Sequence, residues 1–136
     1  MVKILLVTGV SIFGILGTLH LLYTFFTRKF HSSDPAVMEA MRRCSPVITN
    51  ETSMWKMWVG FNASHSIGAM LLAAIYIPLA VYHFPMLRSS VWFMTLPVVV
   101  AFAYLLLARR YWFRVPYFGV LIALVCFVAA ASLVFF

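Results

Sequence analysis

Three polar side chains in this sequence have the chemistry of a functional site and lie within runs that are otherwise apolar. Asn62 and His65 stand one helical turn apart in the stretch WVGFNASHSIG, and His20 lies in the apolar run before it. An imidazole transfers protons near neutral pH, and an amide donates and accepts hydrogen bonds. These three residues are therefore our first candidates for acid–base chemistry or ligand binding.

The composition indicates that lipid is the solvent for most of the chain. Of its 136 residues, 65% are hydrophobic and 10% are charged, and the mean hydropathy is +1.03. A soluble domain of this length leaves too much of its surface exposed to hide so much apolar area. About 20 apolar residues in a helix span the hydrocarbon core of a bilayer. Four runs of this kind are present, at about 4–27, 54–82, 90–108 and 116–136.

We therefore predict an all-α fold, a polytopic integral membrane protein with four transmembrane helices in one bundle. Short connections make consecutive helices antiparallel neighbours, so residues 1–136 are expected to form a single domain. Pro78 and Pro97 lie inside the second and third runs, where each is expected to kink its helix or to mark its end.

The basic residues predict the orientation in the membrane. Eight of the ten Lys and Arg residues flank the first and third loops, namely Arg28, Lys29, Arg42, Arg43, Lys56, Arg109, Arg110 and Arg114. By the positive-inside rule these loops are cytoplasmic, and both termini are on the non-cytoplasmic side. The net charge of +7 suits an anionic lipid leaflet, so we expect membrane lipid as a partner and no nucleic acid.

The predicted cytoplasmic loop, at about 28–53, contains a candidate short helix. Ser33 or Asp34 is a suitable N-cap, Pro35 suits the first turn, and Arg42 and Arg43 suit the last turn. We expect this helix to lie on the membrane surface. The loop is interpreted as a connector, with a lid over a cytoplasm-facing pocket as the alternative.

Small residues predict where the helices pack, because lipid gives helices no hydrophobic drive to associate. One stripe of small residues lies on the second run and another on the fourth: Gly60, Ser64 and Gly68, and Gly119, Ala123, Cys126 and Ala130. At 3.6 residues per turn, Asn62 and His65 project to the side opposite the first stripe.

Depth in the bilayer decides whether the polar groups can meet. Counted at about 1.5 Å per residue from the predicted cytoplasmic ends, His20 and Asn62 lie about 10 Å deep, His65 about 15 Å and Tyr104 about 6 Å. All four belong to one leaflet. Because a polar side chain without a partner costs on the order of several kcal/mol in lipid, we expect them to turn inward.

Three interpretations of this cluster stay open. It is a hydrogen-bonded network that sets helix register, or a pocket for a lipophilic ligand with Arg109 and Arg110 at its mouth to bind an anionic head group or thiolate, or a haem site held by His20 and His65. No Cys-x-x-Cys-His motif is present, and the carboxylates are confined to the first loop. We therefore predict no metal-ion site.

The chain also resembles the MAPEG family, the membrane-associated glutathione-dependent enzymes. That family carries an Asn-x-x-Glu pair on its second helix and an Arg-Tyr pair near the cytoplasmic end of its third. The matching positions here read Asn62-Ala-Ser-His65, and Arg110 with Tyr111 in LLLARRYWF. The family's glutamate is His65 here, and its arginine four residues before the asparagine is Trp58. The resemblance implies a homotrimer that binds glutathione or another thiol at helix interfaces, with an arginine stabilising the thiolate.

The resulting hypothesis is a small membrane enzyme that acts on a lipophilic substrate, with His65 as general base or hydrogen-bond donor and His20 as the second catalytic residue. The expected cofactor-binding residues are Asn62, Tyr104, Arg109, Arg110 and Tyr111. The alternative hypothesis is a non-catalytic subunit of a larger membrane complex, which docks on partner membrane subunits through the small-residue stripes.

Overall fold

The computed structural model describes all 136 residues, and its regular structure is entirely α-helical. Its helices are α1 (Val2–Phe26), α2 (Pro35–Arg43), α3 (Met54–Tyr82), α4 (Phe84–Ser89), α5 (Val91–Tyr111) and α6 (Arg114–Phe135). Four of them, α1, α3, α5 and α6, are long and apolar enough to cross a membrane. The predicted fold class, an all-α membrane protein with four transmembrane helices, is confirmed.

The helix ends differ from the predicted runs where hydropathy and helix formation diverge. Helix α3 has the predicted bounds, whereas α5 continues three residues past the predicted end at Ala108, through Arg109 and Arg110. Cationic side chains at the end of a helix interact favourably with its dipole, so the helix outlasts the apolar run. Helix α6 begins two residues before Pro116, because proline is tolerated in a first turn.

The structure refines the expectations for the two prolines and for one connection. Pro78 and Pro97 both lie inside continuous helices, so neither proline marks a helix end, and the alternative expectation of a kink at each stays a prediction. The connection between α3 and α5, one of the short connections expected from the sequence, contains the six-residue helix α4 with Pro85 in its first turn. A single turn and a half is too short to produce a recognisable apolar period.

The predicted helix in the first loop is α2. Asp34, and not Ser33, is its N-cap, and the Asp34 side chain accepts a hydrogen bond from the Ala36 N–H at 2.8 Å. Such a bond satisfies one of the free donors at the start of the helix. Arg43 pairs with Glu39 one turn away at 2.7 Å, but both side chains are exposed, so this ion pair contributes little stability.

The chain forms two compact units, each containing part of α1 and part of α3. The core unit comprises residues 1–16 and 69–136, and the loop unit comprises residues 17–68. In the core unit, α5 packs against α6 and α4 packs against α5. Its largest fully buried apolar side chains are Phe13, Phe127, Leu6, Leu87 and Met94.

The two stripes of small residues have different environments. In α6, Ala123 and Ala130 are fully buried, and a Cβ at Gly119 would lie 2.9 Å from the Leu16 side chain. That stripe packs as predicted. In α3, however, Gly60, Ser64 and Gly68 are all exposed, and a Cβ at Gly60 would meet nothing within 4 Å. This stripe is therefore not buried within the chain, and its use as a docking face for partner subunits stays a prediction.

Candidate functional site

The candidate site lies in the loop unit, between the C-terminal part of α1 and the N-terminal part of α3. The Nε2 atom of His20 on α1 is 2.8 Å from Oδ1 of Asn62 on α3. The His20 and His65 rings meet edge to face, with their centroids 5.5 Å apart and their planes at 66°. The structure thus brings together His20, Asn62 and His65, three of the residues predicted from the sequence.

The Asn62 side chain is held on both sides. Its Nδ2 group donates to the Trp58 carbonyl, one turn earlier on α3, at 2.8 Å. The Asn62 oxygen is thereby presented to His20. Only 7% of the residue is exposed, and its two hydrogen bonds offset the free-energy cost of burying the polar amide. Asn62 therefore links α1 to α3 at a fixed height along both helices.

Two further buried polar residues near the cluster, Thr24 and Ser66, bond within their own helices. The Thr24 hydroxyl donates to the His20 carbonyl, and the Ser66 hydroxyl donates to the Asn62 carbonyl, each at 2.8 Å. This bond to the carbonyl one turn earlier is the usual way a hydroxyl is satisfied inside a helix. Both residues are buried, yet neither hydroxyl donates to an imidazole.

A loop residue covers the His20 imidazole. Phe30, which follows α1, lies with its ring centroid 4.4 Å from that of His20, and the two planes are tilted by 37°. The Phe30 carbonyl accepts a hydrogen bond from the Trp58 indole N–H at 3.3 Å. Trp58 thus bonds to two residues around His20: its carbonyl accepts from Asn62, and its indole donates to the Phe30 carbonyl. The sequence offered no signal for Phe30, because an apolar loop residue has no periodicity to mark it.

Aromatic and basic side chains continue around this cover. The Lys29 ammonium lies 3.8 Å above the centre of the Tyr23 ring, in a cation–π contact, and the Tyr23 ring is 6.5 Å from that of Phe30. His31 packs edge to face on Trp55 with centroids 4.8 Å apart. The start of the first loop is therefore bound to both α1 and α3.

The other predicted ligands belong to the core unit. The Tyr104 ring packs edge to face on Phe13 at 5.3 Å and on Trp112 at 6.0 Å. Three residues at the end of α5 are exposed, namely Arg109, Arg110 and Tyr111. Their participation with His20 and His65 in one site stays a prediction.

A metal-ion site and a haem site place different demands on these side chains. No group of three or more His, Cys, Asp or Glu side chains is placed to hold a metal ion. A haem held from both sides would have to insert between the His20 and His65 rings, which are already in edge contact. His20 would also have to release Asn62 if Nε2 were the iron ligand. The arrangement suits proton transfer or hydrogen bonding to a ligand better than iron ligation.

Comparisons of the chain with protein-family models, with curated proteins and with solved structures found no match.

Proposed function

We propose that this protein is a small integral membrane enzyme that acts by proton transfer on a lipophilic substrate, with His65 and His20 as its acid–base pair. The observation that carries the proposal is the edge contact of two imidazoles, one of them held by Asn62. A register lock between two helices needs only the His20–Asn62 pair. The His65 ring beside it is a second ionisable group within a membrane-spanning helix, and such groups favour a functional role.

The chemistry follows from the residue types. A neutral imidazole accepts a proton from an acidic O–H, S–H or C–H group of the substrate, and the imidazolium so formed later returns that proton. General acid–base catalysis of this kind contributes about 10²- to 10⁴-fold in rate. Two adjacent rings allow one to accept a proton while the other donates a hydrogen bond to the substrate. A substrate soluble in lipid reaches such a pair without leaving the bilayer.

The proposal retains the predicted topology and cofactor. Both termini lie on the non-cytoplasmic side, which places the first loop and Phe30 on the cytoplasmic side. Glutathione or another thiol is the proposed co-substrate, in keeping with the MAPEG resemblance, and the assembly is a homotrimer. The proposed residues for its anionic groups are Arg109, Arg110 and Tyr111, with Tyr104.

The test is an unbiased turnover assay. Protein purified in mild detergent is incubated with a total membrane lipid extract, with and without glutathione, and the lipids are compared by mass spectrometry before and after. We expect a product that His65→Ala reduces by at least about 10²-fold. His83→Ala is the matched control, because His83 is an exposed residue whose side chain does not cap α4. An equal product yield from His65→Ala would remove the acid–base assignment.

One observation favours the second candidate function, a non-catalytic subunit of a larger membrane complex. The stripe formed by Gly60, Ser64 and Gly68 is exposed, and stripes of small residues let membrane helices approach closely. On this hypothesis a partner helix packs there, and Gly60→Leu should release a heteromeric partner that copurifies with the native protein. Copurification of homotrimers alone, together with lipid turnover, would favour the enzyme.

A further inference from the structure

The hydrogen bonds of Asn62 determine which of its amide atoms faces His20. The Trp58 carbonyl oxygen can only accept, so the Asn62 atom 2.8 Å from it must be the NH₂ group. The amide oxygen is then the atom directed at His20, at 2.8 Å from Nε2. The backbone of α3 thus sets the orientation of the amide without any other side chain.

The same reasoning determines the protonation of His20. An amide oxygen has no proton to donate, so Nε2 of His20 must carry the hydrogen of this bond. In the neutral ring the other nitrogen, Nδ1, then has a free lone pair. Two hydrogen bonds therefore link Trp58, Asn62 and His20: the Trp58 carbonyl accepts from Asn62, and the Asn62 oxygen accepts from His20. The basic atom that remains is Nδ1 of His20.

We propose that Asn62 is a positioning residue, which holds His20 as the Nε2–H tautomer so that Nδ1 is the atom that accepts the proton in the reaction. The catalytic meaning of this assignment rests on the proposed function, whereas the tautomer itself does not. In the step, the substrate X–H bond breaks, its electron pair remains on X, and a new N–H bond forms at Nδ1. The imidazolium keeps its Nε2–H bond to Asn62.

An amide suits this task inside a membrane. It orients the imidazole and accepts from it whether the ring is neutral or protonated, and it adds no charge of its own. A carboxylate in the same place would fix the same tautomer, but an isolated carboxylate in hydrocarbon is costly. The Trp58 carbonyl, one turn before Asn62, accepts the second hydrogen bond of the amide, and this bond keeps the amide from rotating.

The tautomer is measured directly by ¹⁵N NMR of the detergent-solubilised protein, made with ¹⁵N-labelled histidine and kept at alkaline pH. Loss of one signal set in His20→Gln assigns His20. We expect a protonated, pyrrole-type Nε2 and an unprotonated, pyridine-type Nδ1 in the native protein. In Asn62→Ala the His20 signals should move to a mixture of tautomers, in Asn62→Asp the Nε2–H form should persist, and His83 should be unchanged throughout.

Either of two results would overturn the inference: an Nδ1–H tautomer for native His20, or an unaltered Nε2–H tautomer in a folded Asn62→Ala protein. The first needs no variant, so it decides the matter even if Asn62→Ala does not fold. In the lipid turnover assay, Asn62→Ala should lower kcat by about 10²-fold with KM little changed. The Nε2–H tautomer with no turnover by native protein would count against the proposed function alone.

Discussion

The hydrogen bond between His20 and Asn62 should contribute a measurable part of the protein's stability. Interhelical hydrogen bonds in membrane proteins average about 0.6 kcal/mol and reach about 1.7 kcal/mol. This one is 2.8 Å long, and Asn62 is buried with its amide already oriented by the Trp58 carbonyl. Forming the bond to His20 therefore costs little further side-chain conformational entropy. We therefore expect a coupling free energy in the upper part of that range, about 1–1.7 kcal/mol.

A double-mutant cycle isolates this coupling from the side effects of each substitution. Asn62→Ala alone removes the bond but improves helix propensity by several tenths of a kcal/mol, and His20→Ala alone also removes the ring that Phe30 covers. In the cycle these effects cancel. The assay is reversible unfolding in mixed detergent micelles with increasing dodecyl sulfate, followed by circular dichroism for the native protein, both single variants and the double variant.

The sum of the two single destabilisations should exceed that of the double variant by about 1–1.7 kcal/mol. A control cycle pairs Asn62→Ala with Ile48→Ala, because Ile48 lies in the first loop with 87% of its surface exposed. Its coupling should be zero within about 0.3–0.5 kcal/mol. If the His20–Asn62 coupling is no larger than that of the control, the bond does not hold α1 to α3.

Two further predictions concern packing. Gly9→Ala should destabilise the protein by about 1–3 kcal/mol, because a Cβ at Gly9 would overlap the fully buried Phe127 ring, whereas Gly60→Ala, with nothing within 4 Å, should be neutral or stabilising. Equal unfolding midpoints for these two variants would contradict this reading of the packing. Phe30→Ala should speed the modification of His20 by diethyl pyrocarbonate, followed by peptide mass spectrometry, because the Phe30 ring covers that imidazole at 4.4 Å. An unchanged rate at His20 would show that the Phe30 ring does not shield it.

Hydropathy was sufficient to predict the four long helices but not their ends. The bounds of α3 were predicted correctly because polar residues precede Met54 and a histidine and a proline follow Tyr82 closely. At the end of α5 the apolar run stops before Arg109, whereas the backbone continues to Tyr111. Hydropathy reports which residues suit lipid, and helix termination depends on caps and dipoles instead.

The meeting of His20 with Asn62 and His65 could be predicted because helix geometry is regular. Counting residues from the loop ends placed all three at similar depth, and the cost of an unpaired polar group in lipid predicted that they would turn toward one another. What counting could not predict is the partner of each atom. Thr24 and Ser66 share the same faces, yet their hydroxyls bond to backbone carbonyls one turn earlier.

The sequence could not predict that Gly60 is exposed or that Phe30 covers His20, and the reasons differ. Small residues mark where a helix can approach closely, but the stripe in α3 carries no information on whether the neighbour belongs to the same chain. Phe30 reaches His20 because it lies in an irregular loop. The Phe30 carbonyl in that loop bonds to the Trp58 indole, and no periodic sequence pattern indicates such a contact. Tertiary contacts of this kind have no local pattern.

A distance measurement in lipid tests most directly whether His20 and Asn62 meet inside the membrane. Protein with ¹⁵N-histidine and ¹³Cγ-asparagine is reconstituted into bilayers, and the ¹⁵N–¹³C dipolar coupling is recorded by solid-state NMR. A hydrogen bond of 2.8 Å and a C=O bond of about 1.23 Å place His20 Nε2 within about 4 Å of the Asn62 Cγ. We predict strong dephasing that His20→Phe abolishes; absence of that dephasing in the native protein would show that the His20 and Asn62 side chains do not meet.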